Sequence, residues 1–286
     1  MHKIVTAENG LEIIEISNYE ATAKIALQGA HLFEYARHGQ PELLWLSPTA
    51  RFEPGRAIRG GVPVCWPWFG MDPDIPERPQ HGFARSVLWR LESVEESDET
   101  GSTIVTLMLD DTMLEQHERR WFPYLFELTM RITIGEQLEL ALTTKNLGSE
   151  PFEITEALHT YFNVGSIAAV SIVGLEGITY ADALDGFARK ASSAPIGITR
   201  ETDRVYLDTE DTVILLDERL GRTVIVGKSG SSSTVVWNPW IDKAARMEDF
   251  ADDGYTSMVC IETANALSNS VVIAPGDSHT ITQSVK

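Results

Sequence analysis

Apolar and polar residues alternate with a period of two in many segments of the chain. This alternation is typical of strands that bury one face and expose the other. The clearest alternating segments are 11–16, 103–107, 126–132 and 138–142. Runs rich in β-branched residues follow at 213–216, 223–226, 234–237, 258–261, 271–274 and 279–285. So many strands predict an all-β fold, a large antiparallel sandwich of two sheets with few short helices.

Three segments interrupt the strand pattern. Residues 111–120 are the best candidate for a short helix, and residues 92–99 form an acidic stretch that we interpret as a surface loop. Residues 229–233 are polar and predict a turn. Because no linker or internal repeat divides the chain, we expect one domain over residues 1–286.

The net charge narrows the classes of partner. The chain has 42 acidic and 23 basic residues, which gives a net charge of −19 at neutral pH. That charge repels nucleic acid and anionic lipid, so we expect neither as a partner. An anionic small molecule would need cations concentrated in one place. We expect the chain to act as a monomer or a weak homodimer.

The cysteines and the N-terminal residues indicate the cellular compartment of the protein. Cys65 and Cys260 each lie in an apolar segment, and so few cysteines in 286 residues favour a reduced compartment. A disulfide between them is the alternative. The first residues lack the apolar core of a signal peptide, and no apolar stretch is long enough to cross a bilayer. We therefore expect a cytoplasmic protein.

Basic and aromatic side chains cluster with glycine in two neighbouring segments, 58–70 (IRGGVPVCWPWFG) and 80–85 (QHGFAR). Arg59 and Arg85 supply the concentrated cations that a phosphate would need, in a guanidinium geometry that suits its oxygens. Their glycine neighbours would let a ligand approach without a Cβ in the way. Together the two segments indicate a site for a negatively charged sugar.

Three residues are candidates for acid–base chemistry or sugar contacts. His159 lies among apolar residues, where a histidine is either a hydrogen-bonded structural residue or a proton donor near neutral pH. Glu262 follows the apolar run 258–261, so it is either a surface residue at a strand end or a partly buried carboxylate with a raised pKa. Asp203 lies in a segment that we interpret as a loop, where a carboxylate often caps a turn. The pattern alone leaves these alternatives open.

Pairs of tryptophans flank a proline in two segments, 66–69 and 237–240. Such rigid aromatic surface suits the apolar faces of a pyranose ring, and core packing is the alternative for each tryptophan. The chain lacks the motifs HExxH, paired CxxC, GxxxxGK[ST], GxSxG and GxGxxG after a strand, and its seven histidines show no close metal-ligand pair. We therefore expect neither a metal nor a cofactor, and a reaction that needs only an acid and a base.

Six ordered motifs resemble those of the aldose 1-epimerase superfamily, and specifically its hexose-6-phosphate mutarotase (glucose-6-phosphate 1-epimerase) branch. The resemblance extends over most of the chain and implies a β-sandwich of the galactose mutarotase type, with the sugar on its concave face. One departure is Thr263, Ala264 and Asn265, which replace the residues that often follow the glutamate in that family. The motifs occupy residues 59–70, 80–85, 157–162, 202–206, 237–240 and 258–262.

The resemblance also implies roles for individual residues. It makes His159 and Glu262 the catalytic pair. The residues expected to bind the sugar or its phosphate, including one tryptophan of the second aromatic segment, are Arg59, Gln80, His81, Arg85, Asp203 and Trp237.

The implied reaction interconverts the α and β anomers of a hexose 6-phosphate, glucose 6-phosphate above all, by ring opening and closure. Glu262 would take the proton of the C1 hydroxyl, and His159, entering protonated, would donate one to the ring oxygen. We expect the proximity of the two groups to favour these charged forms. The alternatives are a non-catalytic carbohydrate-binding sandwich, a neutral-sugar aldose 1-epimerase, and a glycosidase or lyase that uses Asp203 with Glu262.

Overall fold

The structure is a computed structural model that describes residues 1–72, 75–97 and 99–286. Within these ranges the chain forms 22 β-strands and two short α-helices. The strands are β1 (His2–Thr6), β2 (Glu12–Ser17), β3 (Ala21–Ala26), β4 (His31–Arg37), β5 (Val64–Cys65), β6 (Arg90–Glu96), β7 (Thr103–Asp110), β8 (Phe126–Ile134), β9 (Leu138–Asn146), β10 (Phe152–Ile154), β11 (Glu156–Leu158), β12 (Tyr161–Asn163), β13 (Val170–Val173), β14 (Thr179–Asp182), β15 (Ala188–Ala191), β16 (Thr202–Leu207), β17 (Val213–Asp217), β18 (Arg222–Ser229), β19 (Ser233–Asn238), β20 (Met258–Asn265), β21 (Val271–Ile273) and β22 (Ser278–Val285). The helices are α1 (Gln116–Trp121) and α2 (Trp240–Ala244), and 3-10 turns occupy Asp111–Met113, Ile167–Ala169, Ala183–Asp185, Gly254–Thr256 and Leu267–Asn269.

Two antiparallel eight-stranded sheets dominate the fold, as the alternation predicts. The first, which we call the site sheet, has the strand order β15-β14-β16-β19-β20-β11-β5, with β12 also paired to β20. The second, the back sheet, has the order β13-β17-β18-β22-β9-β8-β7-β6. Strands β1 to β4 form a separate four-stranded sheet, and β10 pairs with β21. The all-β prediction is confirmed.

The main hydrophobic core lies between the site sheet and the back sheet. It includes Val259 and Ile261 of β20 together with Leu140 of β9 and Ile281 of β22, all of which are buried. Because successive side chains of a strand point to opposite faces, Glu262 lies on the other face of β20. The sandwich therefore directs this carboxylate away from the back sheet.

A second, smaller cluster covers that other face of the site sheet. Its buried members include Trp45, Tyr161, Trp237, Phe250 and Cys260. Aromatic rings thus form the surroundings into which β20 directs Glu262.

Two predictions of local structure fail. The acidic stretch 92–99 is a strand over most of its length, because β6 pairs with β7 at the edge of the back sheet, where charged side chains reach solvent. Residue 98 lies outside the described residues. The predicted helix 111–120 is divided into a 3-10 turn and α1, since Leu114 between them has an extended backbone. The predicted turn at 229–233 is confirmed between β18 and β19.

The described helices are all short. None of those in the part of the chain that the structure describes has the length and apolar character needed to cross a membrane.

Candidate active site

The strand register brings His159 and Glu262 together. β20 pairs with β11 so that Leu158 lies opposite Thr263, and it pairs with β12 so that Tyr161 lies opposite Cys260. Continuing this single register across the gap between β11 and β12 places residue 159 opposite residue 262. A contact between residues far apart in the sequence therefore follows from one antiparallel ladder.

His159 and Glu262 are in direct contact. Nε2 of His159 lies 3.3 Å from Oε1 of Glu262, and the side chains are 9% and 1% exposed. The remaining polar atoms, Nδ1 of His159 and Oε2 of Glu262, are buried and have no hydrogen-bond partner among the described residues. Glu262 is therefore not the surface residue that the strand-end alternative supposed. The two side chains contact each other at one pair of atoms and are almost inaccessible to solvent.

Burial favours the neutral form of both groups. Loss of solvent, together with the positive charges of Arg85 and Arg59, lowers the pKa of His159 to about 3. Burial raises the pKa of Glu262 well above its usual range, with Asp203 acting in the same direction and Arg85 opposing. The expectation that proximity favours the charged forms is therefore wrong for the unliganded protein, because loss of solvent outweighs mutual attraction.

Aromatic rings surround the pair. Tyr161 stacks on His159, with 4.9 Å between ring centroids and 12° between planes, and Trp237 meets the His159 ring edge-on at 6.1 Å. Trp45 stacks in turn on Tyr161 at 5.9 Å. These rings account for the low solvent exposure of His159. Trp237 therefore lies beside His159, and its side chain is buried.

The other aromatic segment behaves differently. Trp66 is fully buried in the main core, where it packs on Phe83, Phe122 and Phe126. The sugar-binding interpretation is therefore wrong for Trp66, and the core-packing alternative is correct.

His81 approaches the pair from the loop after the aromatic segment. Its ring centroid lies 5.6 Å from that of His159. Its backbone N donates to the Gly70 carbonyl at 2.7 Å, and its Nδ1 accepts from the Gly70 N–H at 3.2 Å. Burial lowers the pKa of His81 well below its usual range, with Arg85 acting in the same direction. A neutral His81 therefore carries its proton on Nε2.

The glycine next to His81 is required by packing. Gly82 has a φ of +73°, and a Cβ there would overlap the carbonyl oxygen of Trp66. Gly60, beside Arg59, has a φ of +113°, and a Cβ there would overlap the backbone of Trp45 and Leu46. The close approach of two backbone segments already requires glycine at both positions. Space for a ligand is therefore not needed to explain why glycine occurs there.

Arg59 links the aromatic surroundings to a neighbouring cavity. Its Nε donates to Oδ1 of Asp249 at 3.2 Å, and its Nη1 donates to the hydroxyl of Tyr161 at 3.0 Å. Arg85 donates from Nη2 to the backbone carbonyl of Gln80 at 2.5 Å. Gln80 itself is exposed. The segments 58–70 and 80–85 are thus brought together, as predicted.

The cavity beside Arg59 has a volume of about 340 Å³ and is lined by four arginines and two acidic residues. Arg51 pairs with Glu248 at 2.9 Å, and Arg56 pairs with Glu53 at 3.1 Å. The charged lining residues are Arg51, Arg56, Arg59, Arg85, Glu248 and Asp249. Arg51 and Arg56 were not predicted as site residues. Both lie just before the first motif, and their basic side chains could have indicated a larger cluster of positive charge there.

Asp203 lies on a strand and not in a loop. It belongs to β16, where it faces Trp237 of β19 in the register. Its carboxylate is 3.8 Å from Nζ of Lys243, and Lys243 also lies 5.5 Å from the Trp237 ring. Burial raises the pKa of Asp203, and Lys243 opposes that effect. The loop prediction is wrong because polar residues begin this strand at the rim of the site.

Two combinations of side chains among the described residues offer donor atoms for a metal. One is Glu115, His117 and Glu118 at α1, of which Glu115 and His117 are exposed. The other is His159, Cys260 and Glu262, whose ligand atoms lie within 4.8 Å of one another. The spacing of histidines in the sequence could not reveal the second group, because its members come from segments that are far apart in the chain.

Both cysteines are unpaired and buried. Burial raises the pKa of Cys65 to about 12, and Arg85 opposes that effect. Burial also raises the pKa of Cys260 well above its usual range, and Glu262 adds to the shift. The two thiols are therefore protonated at neutral pH.

Comparison with known proteins shows the family of the chain. The family model for aldose 1-epimerase matches residues 12–286. A protein of Escherichia coli (strain K12), described as a "putative glucose-6-phosphate 1-epimerase", is 40% identical over 285 residues, which cover 96% of this chain and 90% of that protein. A relative from the plant Cenchrus ciliaris with the same description is 34% identical and matches 96% of this chain and 84% of its own length.

Solved structures show the same fold. A Salmonella typhimurium "putative mutarotase" has a TM-score of 0.91 and 33% identity, and covers 99% of this chain and 92% of that one. A galactose mutarotase related enzyme from Lactobacillus acidophilus has a TM-score of 0.73 at 16% identity, covers 96% of each chain, and supports the fold alone. The chain belongs to the aldose 1-epimerase family and has the galactose mutarotase-like fold.

Proposed function

We propose that this protein interconverts the α and β anomers of a hexose 6-phosphate, with glucose 6-phosphate as the substrate to test first. The contact between His159 and Glu262 carries the proposal. The ring oxygen and the C1 hydroxyl oxygen of a pyranose are bonded to the same carbon, so the acid and base that serve them must lie a few ångströms apart. A separation of 3.3 Å meets that requirement.

The reaction moves two protons and breaks one bond. Glu262, in its ionised form, takes the proton of the C1 hydroxyl, the bond between C1 and the ring oxygen breaks, and protonated His159 supplies a proton to that oxygen. Rotation about the bond between C1 and C2 turns the aldehyde, and the reverse proton transfers close the ring as the other anomer.

The neutral pair of the free protein is one proton transfer away from the reactive form. Protonated Glu262 with neutral His159 contains as many protons as ionised Glu262 with protonated His159. The two forms differ only in the side of the 3.3 Å contact on which the proton lies. Binding of sugar hydroxyls to Glu262 favours the ionised carboxylate, since hydrogen bonds stabilise the charged form.

The substrate phosphate assists the same transfer. Arg85 and Arg59 line the cavity and also lower the pKa of His159. A phosphate bound between them adds negative charge that offsets their effect, so the pKa of His159 rises when the substrate is in place. Phosphate binding therefore favours the protonated imidazole that the ring oxygen needs.

The residues around the pair have the chemistry to hold the sugar. Trp237 offers an aromatic face, Asp203 a carboxylate at the rim, and neutral His81 an Nε2–H donor. Arg85 lines the arginine-lined cavity and donates to the backbone carbonyl of Gln80, which lies in the same segment. In this proposal these groups bind substrate, and His159 and Glu262 change bonds.

Exchange spectroscopy tests the function directly. Magnetisation transfer between the anomeric signals of glucose 6-phosphate is expected to accelerate with the protein, while mass spectrometry shows no change in mass. A carbohydrate-binding protein would bind without exchange, and a glycosidase or lyase would change the mass of its substrate. Exchange no faster than in buffer alone would overturn the proposal.

The His159→Asn variant tests the proposed acid. We expect it to fold and to lose about 10²- to 10⁴-fold in exchange rate. The matched control is His2→Asn, because His2 is exposed on β1, outside the site sheet. Undiminished exchange in His159→Asn would remove His159 from catalysis.

We also propose a cytoplasmic location. Two unpaired thiols in a protein of this size support a reduced compartment. Fractionation of cells that express the full chain is expected to recover it with cytoplasmic markers, and recovery from an oxidising compartment would contradict the assignment.

A further inference from the structure

Three polar side chains are buried together between the two sheets, directly behind the catalytic pair. They are Thr160, Thr263 and Gln283, which are 0%, 1% and 0% exposed. Thr160 follows His159 in the sequence, and Thr263 follows Glu262. Polar groups in a core of this kind are costly unless they are hydrogen-bonded, so their presence needs an explanation.

The three side chains bond to one another. The hydroxyl of Thr160 donates to Oε1 of Gln283 at 2.5 Å, and Nε2 of Gln283 donates to Oγ1 of Thr263 at 3.0 Å. Nε2 also lies 3.5 Å from the carbonyl oxygen of Ile261. Gln283 belongs to β22 of the back sheet. A single side chain thus reaches across the core and joins the segments that carry both catalytic residues.

Residues 159 and 160 lie in the break between β11 and β12, where Gln283 binds. The backbone N–H of His159 donates to the Pro63 carbonyl at 3.0 Å, and that of Thr160 donates back to the Leu158 carbonyl at 3.0 Å. The Ile261 N–H of β20 donates to the Thr160 carbonyl at 3.2 Å. Gln283 adds side-chain contacts from the back sheet at this break.

We propose that Gln283 is a positioning residue, which holds the break at residues 159–160 in the register that sets His159 against Glu262. This inference rests on the proposed function, because the alignment of the pair matters only for anomer exchange. Fully connected polar networks in a core favour one arrangement over its neighbours. A misplacement of about 1 Å can cost about 10²-fold in rate.

A second polar network between β11, β20 and β22 offers a matched comparison. Nε2 of His279 on β22 lies 3.1 Å from Oε1 of Glu156 on β11, and Nδ2 of Asn265 on β20 donates to the same oxygen at 3.1 Å. Glu156 and Asn265 each lie three residues from a catalytic residue. This network crosses the same sheet interface but does not touch the residues next to the pair.

The decisive variants separate positioning from stability. Gln283→Leu leaves two buried hydroxyls without their partner, so it is expected to lower both Tm and kcat. The triple variant Thr160→Val, Thr263→Val and Gln283→Leu replaces the whole network by apolar groups of similar shape and is expected to recover most of the lost Tm. We expect kcat for glucose 6-phosphate to stay about 10-fold or more below wild type in both, with KM within about twofold.

The control variant is His279→Leu, which is expected to lower Tm and retain kcat within about twofold, because it disturbs only the distant network. Recovery of wild-type kcat together with Tm in the triple variant would overturn the proposal. An equal loss of kcat in His279→Leu would overturn it as well, since the effect would then follow stability and not position.

A substrate-free measurement keeps this test separate from the proposed function. Long-range ¹H–¹⁵N spectra report the ring nitrogens of His159, and we expect those signals to shift in Gln283→Leu and in the triple variant but not in His279→Leu. Absence of anomer exchange by the wild-type protein would overturn the proposed function only. Unchanged His159 signals in the Gln283 variants would overturn the positioning role.

Discussion

The acid–base pair and the arginine-lined cavity lie close together and differ in almost every physical respect. Glu262 projects from β20, and His159 from the break between β11 and β12, into an aromatic enclosure where burial makes both neutral. Arg59 and Arg85 lie in connecting segments, and Arg59 keeps its charge compensated by Asp249. Proton transfer benefits from fixed geometry and little water, whereas capture of an anion needs positive charges that remain accessible.

The two regions are joined by one aromatic ring. Tyr161 stacks on His159 and accepts a hydrogen bond from Arg59. This ring keeps the guanidinium apart from the reacting groups while its charge still acts on the imidazole. The account therefore predicts that damage to the pair affects every sugar, and damage to the cavity affects phosphorylated sugars selectively.

The largest expected effect comes from Glu262→Gln. The amide preserves shape and cannot accept the C1 hydroxyl proton, so exchange is expected to fall about 10²- to 10⁴-fold for both glucose 6-phosphate and glucose. The matched control is Glu153→Gln, because Glu153 is exposed on β10. NMR exchange rates with both sugars check the result, and normal exchange by Glu262→Gln would remove the carboxylate from the mechanism.

The next effect comes from Arg85→Leu. Loss of a charged hydrogen bond to phosphate costs about 1.5–3 kcal/mol, so kcat/KM for glucose 6-phosphate is expected to fall about 10- to 100-fold. The rate for glucose is expected to change less than about threefold. Arg85→Lys keeps the charge without the planar fork and is expected to recover only part of the loss. Full recovery by lysine would show that charge alone suffices.

A moderate effect is expected from pH. Because the pKa of His159 is lowered to about 3 and that of Glu262 is raised well above its usual range, the free pair holds one shared proton between these two pKa values. The kcat/KM for glucose should therefore stay level above about pH 3 and fall only as the pH rises through the raised pKa of Glu262, where the pair loses its proton. Glucose is used because phosphate itself titrates near pH 6. A histidine inflection near pH 6.5 would contradict this account.

The smallest effect is expected from Arg56→Leu. Arg56 pairs with Glu53 at the surface, so its charge acts on an incoming phosphate through solvent. We expect kcat/KM for glucose 6-phosphate to fall about two- to threefold, with a weaker dependence on salt, and the rate for glucose to stay the same. Rates measured at low and high salt check this outcome. A loss as large as that of Arg85→Leu would place Arg56 in direct contact with phosphate.

The strands were predictable from the sequence because alternation is a local property. Segments 126–132 and 138–142 begin β8 and β9 and lie wholly within them. The prediction failed for β6 and for Asp203 on β16, where charged side chains at a sheet edge or a site rim hide the alternation. Local pattern therefore identifies the core strands better than the strands around the site.

The proximity of His159 and Glu262 was predictable through family resemblance, and their charge states were not. Resemblance pointed to His159 and Glu262, and the structure places them in contact. Their pKa values depend on burial by rings such as Tyr161 and Trp237, which only the folded chain brings there. The role of Gln283 was equally hidden, because a glutamine in a strand carries no local signal that it crosses the core.

The division between the two regions is tested most directly by one ratio, kcat/KM for glucose 6-phosphate over kcat/KM for glucose. We predict that Arg85→Leu lowers this ratio about 10-fold or more, while Glu262→Gln leaves it within about threefold although both rates collapse. Equal losses on the two sugars in Arg85→Leu would contradict the assignment of substrate selection to the arginine-lined cavity.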